Sequence, residues 1–238
     1  MSMSETVVVH TSDGDLPVLR FTPTEPNGAG VVVVQEIFGV SGYIQDRAQD
    51  LADVGYVVYA PVLYARLPEE PVIDPESPDY LMQGMSAMQA LDWQTAARDV
   101  VATLDALRSE PGVDKVGLLG FCFGGGLAFQ VAAMTDPDVL VSYYGSALPR
   151  LTGLAGQVTA PQLHHWGAED SFIEADAQAQ AHQDLAASRG PVDWRTYDGA
   201  GHAFDNPNPM FHDAAASASA WPTTLDFLAE HLLATGPE

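Results

Sequence analysis

Short, wholly apolar runs alternate along this chain with longer stretches in which apolar residues recur at helical spacing. Val31-Val32-Val33-Val34 is β-branched and apolar throughout, as a strand covered on both faces should be. Residues 55–61, 115–119, 139–145, 161–166 and 192–197 repeat that strand pattern. Between and after them, residues 44–54, 96–107, 127–134 and 174–188 read as helices. Trp221-Pro222 reads as the opening of a last helix over residues 223–233, because proline is tolerated in a first turn. Near the start, residues 6–10 and 16–22 alternate around Ser12-Asp13-Gly14-Asp15, which predicts an antiparallel hairpin. Regular alternation of strand and helix predicts an α/β fold with a mostly parallel, doubly wound sheet and helices on both faces.

Residues 64–93 interrupt the rhythm with Pro68, Pro71, Pro75 and Pro78, followed by Met82, Met85 and Met88. We read them as an excursion over the top of the sheet, ending in a short helix, within a single domain spanning residues 1–238. Flexible methionines suit an adaptable pocket wall and suit plain core packing equally.

The pattern is sharpest at Gly120-Phe121-Cys122-Phe123-Gly124, which lies between the apolar run 115–119 and the helix 127–134. Strand, G-x-C-x-G, helix is the nucleophile-elbow arrangement with cysteine in place of serine. Glycines two positions before and two after the tip let strand and helix approach closely around a strained residue. A side chain at the tip also faces the positive end of a helix dipole, which favours a thiolate. The alternative is a small buried hydrophobe, the usual fate of a lone intracellular cysteine. Gly120, Gly124 and Gly126 do not have the spacing of a dinucleotide-binding loop.

Functional groups of such a sheet gather where strands end at their carboxyl side. Cys122, Asp170 and His202 occupy predicted strand ends in the chain order nucleophile, acid, histidine. In that reading Cys122 attacks a carbonyl, His202 moves the proton, and Asp170 orients the imidazole. Taken singly, His202 also fits a solvated loop histidine, and Asp170 a turn or capping residue. The backbone N–H of Phe123 is the expected oxyanion donor beside the nucleophile, with Ile37 after the Val31–Val34 run as the second. Glu36 lies next to that donor, either as a surface accident or as a hydrogen-bond partner that controls the thiol. His164 and His165 are adjacent on a strand and point to opposite faces, so they cannot share one task. His182, His212 and His231 are expected on helix surfaces. No metal-binding motif is present, and no metal is expected.

The chain has 238 residues, a net charge of −23 and a single lysine, Lys115. With no basic stripe to neutralise phosphates, nucleic acid and anionic membrane surfaces are disfavoured partners. No apolar run is long enough to span a bilayer, and Met1-Ser2-Met3-Ser4-Glu5 lacks the features of a signal peptide. The lone cysteine fits a reducing compartment, so a cytoplasmic location is the expectation.

The sequence resembles the dienelactone hydrolase (carboxymethylenebutenolidase) family of α/β-hydrolases. The resemblance rests on residues 33–39, Ala60-Pro61 with residues 63–66, and 120–125, then on 167–170, 201–204 and 224–228, and so covers nearly the whole chain. It implies an eight-stranded α/β-hydrolase, usually monomeric and without a cofactor, that opens an enol-lactone or related ester through an acyl-thioester. Carried over, it assigns Cys122, His202 and Asp170, and gives Glu36 the task of holding the resting thiol until substrate displaces it. Where the family binds a substrate carboxylate with two arginines, this chain has Leu81 and Asn206, which points to a less charged lactone or ester. Phe38, Arg66, Leu81, Met85, Tyr144, Phe204 and Asn206 are the candidate substrate contacts, with Arg66 as a possible anion contact. Two readings compete: a promiscuous carboxylesterase or thioesterase, and a non-catalytic scaffold that binds a ligand or senses oxidants through Cys122.

Overall fold

A computed structural model describes residues 3–233. The chain opens with the hairpin β1 (Met3–Thr11) and β2 (Gly14–Thr22), paired antiparallel across Gly14, whose positive φ of 101° makes the turn. Then follow β3 (Ala29–Val34), α1 (Gly42–Asp53) and β4 (Val57–Pro61). A 3₁₀ turn, Leu63–Arg66, leads through irregular chain to α2 (Tyr80–Ala90) and α3 (Trp93–Arg108). Beyond it come β5 (Lys115–Phe121), α4 (Phe123–Met134), β6 (Val139–Tyr143) and the short α5 (Leu148–Leu151). The chain closes with β7 (Gln162–Gly167), α6 (Ala175–Asp184), β8 (Val192–Tyr197) and α7 (Ala214–Leu232).

The eight strands form one sheet in the order β1-β2-β4-β3-β5-β6-β7-β8. Pairing is antiparallel from β1 through β4 and parallel from there to β8. Two glycines show that helices cover both faces. Gly30 on β3 lies under Leu107 of α3, and Gly117 on β5 lies beside Val139 and under Leu232 of α7, with no room for a Cβ in either case. Because Gly30 pairs with Val116, the residue before Gly117, these two contacts lie on opposite faces. With both faces covered, every residue of β3 is buried, the reason its sequence is apolar without alternation.

The order around β3 positions the site. From β3 the chain steps to β4 on one side, then returns to β5 on the other. The connections leaving the carboxyl ends of β3 and β5 therefore diverge and leave a crevice between them.

Two expectations need correction. The last helix begins at Ala214, with Pro222 inside it, rather than at Trp221-Pro222. The Asp213 carboxylate accepts the N–H groups of Ala215 and Ala216, and this cap starts the helix upstream of the proline. His212 lies in the turn ahead of that cap, not on a helix.

Candidate active site

Cys122 stands between β5 and α4 with φ 52° and ψ −114°, a region that non-glycine residues rarely occupy. Its N–H donates to the Tyr143 carbonyl at 3.0 Å, and its own carbonyl accepts from Gly125 and Ser146 at 3.0 and 3.1 Å. The flanking glycines are required for a spatial reason. A Cβ on Gly120 would strike the backbone of Gly124, and one on Gly124 would strike the Val34 and Gln35 carbonyls of the β3 end. The sharp turn therefore needs both positions bare, and it lifts the sulfur above the sheet.

The loops after β7 and β8 bring up two partners. His202 Nε2 lies 3.1 Å from Cys122 Sγ, and His202 Nδ1 lies 2.7 Å from Asp170 Oδ2. The other oxygen of Asp170 accepts the N–H groups of Phe172 and Ile173 at 2.8 and 3.1 Å, which fixes the carboxylate from behind. Burial opposes a charge on the imidazole, but the Cys122 sulfur and the Asp170 carboxylate outweigh it and push His202 up to about 10. The rings of Tyr144 and Phe172 pack against that imidazole with centroids 5.2 and 5.0 Å away. Thiol, imidazole and carboxylate thus stand hydrogen-bonded in series, a geometry suited to nucleophilic attack with proton transfer.

The turn after β3 supplies the opposite rim. Gly39 N–H donates to the Glu36 carbonyl, and Tyr64 Oη donates to the Ile37 carbonyl at 2.6 Å, which pins the turn. Among the described residues, the N–H groups of Ile37 and Phe123 have no backbone acceptor, so both are free to donate. Phe38 stacks on Tyr80 of α2 at 3.8 Å, and Gly84 allows that approach because a Cβ there would overlap the Phe38 ring. A mid-helix glycine costs roughly 1 kcal/mol relative to alanine, and here it lets α2 lie directly on the turn.

Glu36 is fully buried, and Asn206 Nδ2 donates to its Oε1 at 2.9 Å. Burial raises the Glu36 carboxyl to about 8 against the opposing effects of the Asn206 hydrogen bond and the His202 charge. The sulfur is paired with His202 and the carboxylate with Asn206, so the resemblance's picture of Glu36 gripping the resting thiol is not the arrangement seen.

These groups open into a cavity of about 500 Å³. Ile37, Phe38, Leu81, Met85, Phe123 and the Cys122 sulfur line it as the sequence suggested. Met88, Leu91, Trp93, Leu151, Phe172 and Phe211 complete an apolar wall, and Arg150 lies exposed at its edge. Of these, sequence reading had named only Met88, within its methionine run. Phe172 carried a signal, lying two positions after Asp170; the others carried none.

Four proposed contacts lie elsewhere. Arg66 grips Asp99 through two hydrogen bonds of 2.8 Å and bonds the carbonyls of the hairpin turn at Asp13 and Gly14. It is a clamp for β1 and β2 and has no guanidinium left for a substrate anion. Phe204 is wholly buried against Tyr143 and Tyr144, since its side chain points from the His202 loop into the core. Tyr144 backs the imidazole and hydrogen-bonds Tyr43 at 3.2 Å. Asn206 spends its amide on Glu36. Met82, grouped with Met85 and Met88 by sequence, faces outward and is exposed. His164 and His165 are both buried away from the site, where burial pushes each down to about 3.

The sheet order, the elbow and the crevice define an α/β-hydrolase. The model of the dienelactone hydrolase family matches residues 16–232, and the chain belongs to that family. A carboxymethylenebutenolidase of Pseudomonas putida is 33% identical over 230 residues, which cover 95% of this chain and 97% of that one. One from Cupriavidus pinatubonensis is 28% identical, covering 87% of this chain and 88% of its own. Among solved structures, a putative dienelactone hydrolase from Klebsiella pneumoniae superposes with a TM-score of 0.85 at 24% identity, covering 97% of this chain and 99% of that one. A dienelactone hydrolase-like promiscuous phosphotriesterase from metagenomic libraries gives a TM-score of 0.79 at 26% identity, covering 98% and 99%. The protein is an enzyme, a hydrolase of carboxylic esters. Among the described residues no helix is long and apolar enough to cross a membrane, and no group of His, Cys, Asp and Glu could hold a metal.

Proposed function

We propose that this enzyme opens a lactone, or cleaves a related activated ester, through a Cys122–His202–Asp170 triad and an acyl-thioester. The Cys122 proton passes to His202 Nε2, and the sulfur attacks the carbonyl carbon. The carbonyl electron pair moves to oxygen, which the N–H groups of Phe123 and Ile37 receive. Collapse of this adduct breaks the C–O bond, and His202 returns the proton to the leaving oxygen. In a lactone that oxygen stays tethered to the acyl group. Water, deprotonated by His202, then attacks the thioester carbonyl, and sulfur leaves. Asp170 holds the imidazole in the tautomer this requires.

The observation that carries the reading is the unbroken series from sulfur to imidazole to carboxylate, at 3.1 and 2.7 Å. The apolar wall favours a substrate with a hydrophobic acyl or ring portion. Hydrolysis of p-nitrophenyl acetate and of an enol-lactone by wild type and Cys122→Ala tests it. We expect the variant to lose at least about 10⁴-fold in kcat; unchanged turnover would overturn the assignment.

A second reading, a broad esterase or thioesterase, draws on the same apolar wall and on the promiscuity named for the metagenomic relative. Comparing kcat/KM for lactones, aryl esters and thioesters decides between them: a lactone preference of tenfold or more supports the first, and a flat profile the second.

A further inference from the structure

The catalytic cavity is lined by two hydrogen-bonding side chains that the fold itself does not use. Of its other polar groups, Cys122 and His202 bond each other, Glu36 accepts from Asn206, and the Trp93 indole N–H donates to Gln130 at 2.6 Å. Ser146 and Arg150 remain, and among the described residues neither side chain has a hydrogen-bond or ion-pair partner. A bare arginine stands out in a chain with 32 acidic side chains against nine basic ones. Arg20, Arg47, Arg66, Arg98, Arg108 and Arg195 each pair with a carboxylate, and Arg189, also unpaired, does not line the cavity. Complementing a helix end does not account for Arg150 either, because α5 is a single turn and sums few peptide dipoles.

The segment that carries both side chains is fixed. Tyr144 N–H donates to the His165 carbonyl at 2.7 Å, Ser146 N–H to the Cys122 carbonyl at 3.1 Å and Arg150 N–H to the Ala147 carbonyl at 3.0 Å. Ala147 lies so close to α4 that a Cβ on Gly126 would overlap it. Ser146 is thus anchored beside the nucleophile, and Arg150 stands four positions on at the cavity edge. We propose that Ser146 and Arg150 form an anion subsite of the catalytic cavity, which selects monoesters of dicarboxylic acids. The inference rests on the hydrolytic reading and names the substrate class. The apolar wall takes the carbon chain between the two carboxyl groups, and the guanidinium fork receives the free carboxylate. The net charge of −23 does not forbid this. At physiological ionic strength charges beyond about 8 Å are largely screened, whereas a guanidinium in contact with its anion is screened much less.

The test compares kcat/KM for the mono-p-nitrophenyl esters of adipic and suberic acid with that for the uncharged methyl p-nitrophenyl diesters of the same length. It uses wild type, Arg150→Gln, Ser146→Ala and, as a control for net charge, Arg189→Gln. We expect wild type to favour the half-esters about tenfold, chiefly through KM, the scale of one charge-assisted contact. Arg150→Gln should bring the ratio to about one. Ser146→Ala should lower it in part, and Arg189→Gln should leave it unchanged. Equal rates on the two series in wild type overturn the proposal, and so does a preference that survives Arg150→Gln. Calorimetric binding of monomethyl and dimethyl suberate to Cys122→Ala reads the subsite without turnover. A half-ester preference that Arg150→Gln abolishes in that background supports the subsite even where hydrolysis fails, and no preference there overturns it. Failure of the subsite is therefore separable from failure of the hydrolytic reading.

Discussion

On the floor of the pocket Glu36, Cys122 and His202 are buried, with Asp170 buried behind His202, and each is tied by hydrogen bonds to a strand end or to a neighbour that is itself tied. On the wall, Leu81, Met85 and Met88 come from α2, a helix reached through irregular chain, and are only partly buried. The floor holds polar atoms to fixed distances because a displacement of about 1 Å there can cost around 100-fold in rate. The wall contributes apolar area without directional bonds, and flexible thioethers adapt to different shapes. The difference teaches that, in the proposed function, chemistry and selectivity fall to separate parts of this fold, one anchored in the sheet and one laid across it.

The comparison breaks most sharply at His202. His202→Ala removes the proposed base from the floor and should lower kcat about 10⁴-fold while the wall still binds substrate, so KM measured beside kcat reads the separation. Below it in size stands the support of the floor. Asp205→Leu leaves the Arg47 guanidinium, which also lies 4.4 Å over the Trp221 ring, without its buried carboxylate. That should cost ~3–5 kcal/mol, seen in urea unfolding midpoints. The wall responds less. Met85→Ala should change the ratio of kcat/KM between a bulky and a small acyl ester by about tenfold, with kcat for the small ester nearly kept. An equal loss on both substrates would place Met85 with the floor.

A separate effect is one of pH. Glu36 keeps its proton up to about 8 in the fold, whereas 4.5 is its ordinary value. The folded state therefore binds more protons than the unfolded chain between those values, and stability falls as pH rises from about 4.5 to about 8. Thermal midpoints across that range should decline less steeply in Glu36→Gln than in wild type. Equal slopes would assign the decline to another group.

The strands, their covering helices and the elbow were legible because each is a local matter. A strand buried on both faces must be apolar at every position, and a tip between two bare glycines announces itself within five residues. Cys122, Asp170 and His202 were legible too, since a parallel sheet brings the ends of β5, β7 and β8 to one side whatever the loops between them do. Which neighbouring side chains reach the pocket was not legible. Phe204 lies two positions after His202 and Tyr144 just past the end of β6, but their rotation sends them into the core. Arg66 looked available until the hairpin turn and Asp99 proved to occupy it. Trp93 and Phe211 carry no local mark and reach the wall only because their segments converge there. The sequence by itself determined the order of elements and the placement of Cys122, Asp170 and His202 at strand ends, because backbone periodicity and glycine sterics act over a few residues. The tertiary structure alone decided that Asn206 meets Glu36, that Arg66 serves the hairpin and that α2 forms the wall, because hydrogen-bond partners and burial are settled by groups distant in the chain.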